Sequence, residues 1–160
     1  MQESNVTVRR ARDDEAEALT ALSLKSKRSN GYDDAFMAAC REELTVTDQR
    51  LAEGEYWVAE SEELCGCACL LADPNGGSGE VHAFFIDPDW QRRGVGRLLW
   101  NKLVQRAKEQ GLIDLRLDAD PAAVPFYEAM GFKVVGEAPS GSIPGRSLPH
   151  MKVAVSDIAG

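Results

Sequence analysis

Val6, Val8 and Arg10 alternate with Thr7, Arg9 and Ala11, the period-2 pattern of a half-buried strand. Asp13 or Asp14 then offers a helix cap, and Ala18, Leu19, Leu22 and Ser26 follow along one helical face until Asn30-Gly31 interrupts it. Phe36, Met37 and Cys40 predict a second helix over 33–44. The stretch 56–61 predicts a strand, Glu62-Glu63 a tight turn and 64–72 the returning strand. The strongest turn signal in the chain, Asp73-Pro74-Asn75-Gly76-Gly77, comes next. An apolar strand over 81–86 leads to a helix over 92–110, whose Val95, Leu99, Leu103 and Ala107 recur every fourth residue and which Gly111 ends. Ile113, Leu115 and Leu117 alternate with Asp114, Arg116 and Asp118 in another strand. Asp120 caps a short helix over 121–130, closed by Gly131, and Pro125 is expected to kink it or shorten its first turn. Strands over 132–137 and 151–155 flank a loop rich in Ser, Gly and Pro, and 156–160 are expected to fray. The order is β-α-α-β-β-β-α-β-α-β-β, without repeat, linker or composition break.

Composition narrows the class. The 160 residues suffice for one core, and a single domain over 1–160 is expected. No apolar stretch is long enough to cross a bilayer, and the polar start, Met1 to Arg12, does not resemble a signal peptide. A cytoplasmic protein with no membrane partner is the default. A net charge of −8 argues against a nucleic-acid partner and suits a cationic substrate. Cys65, Cys67 and Cys69 would share one face of a strand. Their C-x-C-x-C spacing does not wrap a tetrahedral ion, so no metal is expected and the thiols read as small buried hydrophobes.

The chemistry centres on Gln91-Arg92-Arg93-Gly94-Val95-Gly96. A strand that turns through two glycines into a helix lets the backbone approach a ligand closely, and the first helical N–H groups lack intrahelical partners. The helix dipole and Arg92, Arg93 and Arg97 add positive charge at the same end, an arrangement suited to a diphosphate. The same residues would also serve as a glycine-softened turn with a charged helix start. The spacing is neither that of the dinucleotide fingerprint nor that of a Walker loop.

Gln91, Gly94 and Gly96 form the pattern Gln/Arg-x-x-Gly-x-Gly/Ala, and Asp120, Ala123, Phe126, Tyr127, Gly131 and Phe132 form Asn-x-x-Ala-x-x-Phe-Tyr-x-x-x-Gly-Phe with Asp in place of Asn. Together, on the expected elements, they resemble the two signatures of the GCN5-related N-acetyltransferase (GNAT) superfamily. The resemblance spans about Val6 to Val155. It implies an α/β (α+β) three-layer fold: a mixed sheet of about six to seven strands, splayed between the fourth and fifth, with about four flanking helices. It also implies acetyl-coenzyme A as the cofactor. The pantetheine would pair with the backbone of Phe84, Phe85 and Ile86, and the pyrophosphate would meet the amides from Arg92 through Arg93, Gly94, Val95 and Gly96 to Arg97. Gln91, Asp120, Ala123 and Phe126 complete the signature positions on the cofactor side.

Acetyl transfer to an amine requires loss of an ammonium proton, stabilisation of the carbonyl oxygen and protonation of the leaving thiolate. Tyr127 occupies the family's acid position. The base is left open between Glu80, whose spacing to Gly94 matches the glutamate of the histone-acetylating branch, His82 two residues on, and water. A bulge nearby would change which side chains face the site. An N–H near Ile86 is the candidate oxyanion donor. Tyr32 and Phe36 between the first two helices, and Arg146 in the late loop, are candidate acceptor-binding residues. The expected function is direct acetyl transfer from acetyl-coenzyme A to a primary amine of a small molecule, peptide or protein; the rival is a non-catalytic acyl-coenzyme A sensor of the same fold. Exposed edge strands would permit a homodimer.

Overall fold

The alternating segments assemble into one sheet. The computed structural model describes residues 5–158, so the first four residues of the polar start and the last two of the expected frayed end lie outside it. The elements are β1 (Thr7–Arg10), α1 (Ala16–Arg28), α2 (Asp34–Leu44), α3 (Asp48–Glu53), β2 (Glu55–Glu60), β3 (Leu64–Ala72), β4 (Ser78–Ile86), α4 (Val95–Glu109), β5 (Asp114–Asp118), α5 (Val124–Ala129), β6 (Lys133–Pro139) and β7 (Ser147–Ala154). Seven strands run in the order β1-β2-β3-β4-β5-β7-β6. The β4–β5 pair is parallel and the others are antiparallel, so α4 serves as the crossover.

Helices cover both faces. Leu19 and Leu22 of α1 pack with Val58, Cys67 and Cys69 on one side. On the other, the stripe Val95, Leu99, Leu103 and Ala107 packs with Ala68, Leu70, Leu115 and Val153. This is the expected mixed α/β layering, with five helices where four were expected. The additional one, α3, is six residues long and starts where the Thr47 side chain accepts from the Arg50 N–H. Among the described residues no helix is long and apolar enough to cross a membrane.

Several local expectations are corrected. Neither Asp13 nor Asp14 caps α1; Glu15 precedes it, takes the Arg12 N–H at 2.7 Å and pairs with Arg9 at 2.8 Å. α4 begins at Val95 rather than 92, because Arg92 (φ 66°) and Gly94 (φ 83°) hold left-handed conformations in the preceding turn. Pro125 does not kink α5. It lies in the first turn, where its missing N–H would have no intrahelical partner. Residues 155–157 form a 3₁₀ turn, with Val155 buried and its N–H bonded to the Ile113 carbonyl at 2.7 Å. The three thiols do not share one face: a bulge between Ala59 and Glu60 rotates Cys65 into the core under α4, away from Cys67 and Cys69.

Packing under α4 leaves no room for a methyl group at Gly66. A Cβ there would lie 2.9 Å from Val95 Cγ1, 3.0 Å from Leu99 Cδ1 and 3.1 Å from Ile86 Cδ1. Gly66→Ala should therefore cost roughly 1–3 kcal/mol. The check is a urea titration, in which the midpoint should fall while the slope stays the same.

Candidate active site

Strands β4 and β5 are joined at Ser78–Asp114, Gly79–Leu115 and Glu80–Arg116, and they part beyond. β4 continues to Ile86 and β5 to Asp118, so the sheet opens into a wedge. A cavity of about 1000 Å³ fills the opening, lined by both strands, the turn into α4, and α5. On β4 the ladder with β3 skips: Cys67 pairs with Phe85 and Cys69 with His82, leaving Ala83 and Phe84 opposite Ala68 alone. This is a bulge, and it falls after His82. Ala83 has φ 50°, and its carbonyl accepts from the buried Cys67 thiol at 3.2 Å. Burial pushes that thiol up to about 12 and Cys69 to about 12, so both stay protonated and unreactive.

One end of the cavity is the glycine turn. Asp87 opens it, accepting the Asp89 N–H at 2.9 Å and pairing with Lys25 at 3.0 Å. Arg92, a non-glycine residue in the left-handed region, stores backbone strain of about 1–3 kcal/mol, a cost that recurs at ligand clamps. Gly96 faces the ring of Phe126: a Cβ at this position would meet Phe126 Cε1 at 2.9 Å. Gly96 thus lets that ring pack directly onto the first turn of α4, while a Cβ at Gly94 would meet nothing within 4 Å, so the backbone amides of the turn stand open. Gln91, Arg92, Gly94, Val95, Gly96 and Arg97 line the cavity. Arg93 does not; its guanidinium stacks 4.9 Å from the Trp90 ring centre.

Phe84, Phe85, Ile86, Ala123 and Phe126 also line the space, and at its floor lies Tyr127. The Tyr127 ring is packed edge-on against Phe126 (5.3 Å), Phe132 (5.7 Å) and Phe84 (6.1 Å). Burial, and secondarily the charge of Asp120, push its phenol above the ordinary range. Glu80 and His82 line the cavity from β4. Both precede the bulge, so they share a face, and Glu80 Oε1 lies 3.0 Å from His82 Nε2.

The three candidate acceptor residues come together beside the cavity. Tyr32 and Phe36 stack at 3.9 Å, and the Arg146 guanidinium lies 4.9 Å from the Phe36 ring centre and 5.3 Å from that of Tyr32. Arg146 donates to the Tyr32 hydroxyl at 2.8 Å, and Tyr32 donates to Asp120 Oδ2 at 2.8 Å. Lys27 reaches the same oxygen at 2.6 Å. The other oxygen of Asp120 takes the Ala122 N–H at 2.9 Å, so the capping role holds. Desolvation raises the Asp120 pKa, but the hydrogen bonds from Lys27, Ala122 and Tyr32 outweigh it and hold the carboxyl below its usual value. Asp120 thus ties α1, the loop after it and the β6–β7 loop to the start of α5. Asp120 lines the cavity; Tyr32, Phe36 and Arg146 stand behind it.

Sequence reasoning missed Lys27, Asp118 and His150. Lys27 is 93 positions from Asp120, and no local pattern links them. Asp118 and His150 meet because β5 and β7 pair in register at these residues.

A family model, the acetyltransferase (GNAT) domain, matches residues 16–153. The chain belongs to the GNAT acetyltransferases, and by class it is an N-acetyltransferase. It is 32% identical over 151 residues to the peptidyl-lysine N-acetyltransferase YjaB of Escherichia coli (strain K12), covering 93% of this chain and 96% of that protein. YjaB of Salmonella typhimurium is 32% identical over 136 residues, covering 83% and 87%. Among solved structures, the PaiA N-acetyltransferase from Thermoplasma acidophilum in complex with coenzyme A matches with a TM-score of 0.75 at 18% identity, covering 93% of this chain and 98% of that one. The yncA protein from Salmonella typhimurium, solved with its cofactor acetyl-CoA, matches with a TM-score of 0.67 at 20% identity, covering 98% of each. These structures share the fold.

Proposed function

We propose that this enzyme moves an acetyl group from acetyl-coenzyme A directly to the ε-amine of a lysine in a peptide or protein, with both substrates bound at once. The carrying observation is the wedge between β4 and β5, with a glycine cradle at one end and a buried tyrosine at its floor. Residues and cofactor fit: open space beside Gly94 leaves the amides of the turn accessible to a pyrophosphate, Arg92 and Arg97 line the same end, and the cavity is large enough for a long carrier. The lysine assignment is supported by the names of the YjaB relatives and by the net charge of −8, which favours a cationic acceptor. The free, buried cysteines suit a cytoplasmic enzyme, and the outermost strands β1 and β6 leave edges for a homodimer.

Bound acetyl-coenzyme A would supply an acyl carbon already activated as a thioester. Backbone amides from Gly94 to Arg97, with Arg92 and Arg97, would hold its phosphates, and the unpaired edge of β4 from Phe84 to Ile86 would hold its pantetheine arm. An N–H near Ile86 would face the carbonyl oxygen. Glu80 accepts the ammonium proton of the lysine, with His82 beside it to share or relay that charge. Tyr127 keeps its hydroxyl proton through the working range and releases it to the sulfur. Buried thiols leave no exposed cysteine nucleophile for a covalent acetyl-enzyme, which favours direct transfer.

The test is free-thiol release with acetyl-coenzyme A and a lysine peptide, compared with the same peptide blocked at its ε-amine, with mass spectrometry locating the acetyl group. Glu80→Gln should lower kcat by roughly 10²-fold and leave coenzyme A binding unchanged. Tight coenzyme A binding with no thiol release on any amine would instead make the protein a sensor.

A further inference from the structure

An acceptor nitrogen loses two protons between ammonium and amide, and the Glu80–His82 pair accounts for one. The cavity holds a second carboxylate–imidazole pair. Asp118 ends β5, His150 is its register partner on β7, and His150 Nδ1 lies 2.7 Å from Asp118 Oδ1. Both residues line the cavity that holds Tyr127, Glu80 and His82. Glu80 and Arg116 are register partners at the last joined position of β4 and β5, so their side chains share a face. Period-2 alternation puts His82 and Asp118 on that face, and strand pairing puts His150 there too. Two carboxylate–imidazole pairs therefore stand on the two lips of one opening.

The pair's chemistry follows from its orientation. An ionised carboxylate can only accept, so in the neutral ring the hydrogen sits on Nδ1 and the lone pair on Nε2 is free. A carboxylate holding one ring nitrogen while the other faces a reaction space is the arrangement of an oriented general base.

Building on the transfer reaction set out above, we propose that His150 Nε2 takes the second proton of the acceptor nitrogen. Once Glu80 has removed the first, the lone pair of the nitrogen forms the C–N bond to the acyl carbon. The C–S bond breaks with its electron pair moving onto sulfur. The remaining excess proton passes from nitrogen to His150 Nε2, and the sulfur takes the phenolic proton of Tyr127. Asp118 is a positioning residue that fixes the ring and its tautomer.

His150→Ala should lower kcat on a lysine peptide by roughly 10²-fold while KM for acetyl-coenzyme A moves less than about twofold. Added imidazole should restore part of the rate. An analogue peptide carrying a weakly basic hydrazide in place of the ε-amine should shrink the deficit, because its nitrogen sheds protons readily to water. Asp118→Asn should lower kcat less, and imidazole should not restore it. Binding gives an independent readout. The chain has two histidines, so the Cε1–H resonance absent from His150→Gln identifies His150. That resonance should move when lysine peptide is added to the protein with coenzyme A. Wild-type kcat in His150→Ala, or a loss that neither imidazole nor the hydrazide relieves, would overturn the proposal. So would an unmoved resonance, which also decides the matter if His150→Ala fails to fold. If Glu80→Gln and Tyr127→Phe are impaired while His150→Ala is not, the role of His150 alone falls. If all three variants match wild type, the underlying reading of the site falls with it.

Discussion

Tyr127→Phe should bind coenzyme A as tightly as the unsubstituted protein and turn over roughly 10²–10⁴-fold more slowly. The ring carries the packing: it is held edge-on by Phe84, Phe126 and Phe132, and phenylalanine keeps every one of those contacts. The change removes one oxygen, whose hydroxyl bonds to no described residue and lies against the cavity. Burial raises the phenol's pKa, and a thiolate forming in the same low dielectric is made more basic by the same physics, so the two remain matched for proton transfer. Calorimetry gives the affinity and initial rates give kcat. A loss confined to affinity would show that Tyr127 is a wall of the pocket and not its acid.

The largest effect on stability is expected at Asp120. Its side chain and that of Lys27 are 12% and 14% exposed and meet at 2.6 Å. Asp120→Ala strands the lysine, frees the Tyr32 hydroxyl and removes the cap on Ala122, a combined loss of roughly 3 kcal/mol. For a chain of this length the melting temperature should drop by roughly 10 °C. Asp120→Asn keeps the cap and a hydrogen-bond acceptor, so it should fall between the two. The pH dependence has a definite sign. The folded-state pKa of Asp120 lies below its unfolded value, so its contribution is complete above the unfolded pKa, about 4. It is lost as pH falls through the folded value. The stability gap between wild type and Asp120→Ala should therefore be full at neutral pH and close in acid; a gap that widens in acid would contradict the assigned charge state.

What could be read from the chain, and what could not, divides by distance along it. The order of strands and helices follows from periodicities a few residues long, and the cradle follows from two glycines and three arginines within seven positions. The wedge itself was implied by resemblance alone, since no local pattern says where two parallel strands stop pairing. The first half of β7 read as loop because Ser147 and Pro149 are poor strand formers. Its extended form is held by β6, through partners such as Ser147–Pro139 and Pro149–Glu137. α3 is too short to show a helical period, and its threonine cap is one of many threonines. Tyr32, Phe36 and Arg146 were each placed near the acceptor, yet their common anchor on Asp120 and Lys27 joins segments 88–114 residues apart. By sequence alone, Asp120 is a one-residue departure from the asparagine of the signature. In the fold its extra charge is what the lysine and the arginine gather around.

Three rungs of parallel ladder are all that stitch β4 to β5. The sheet is in effect two wings, one of four strands and one of three, hinged along that short seam and backed by α4. A carrier laid along the open edge of β4 and gripped at the far end by the α4 turn would act as mortar between the wings. Stiffness across the seam would then come partly from the substrate, and the loaded enzyme would resist a relative motion of the wings that the empty one allows.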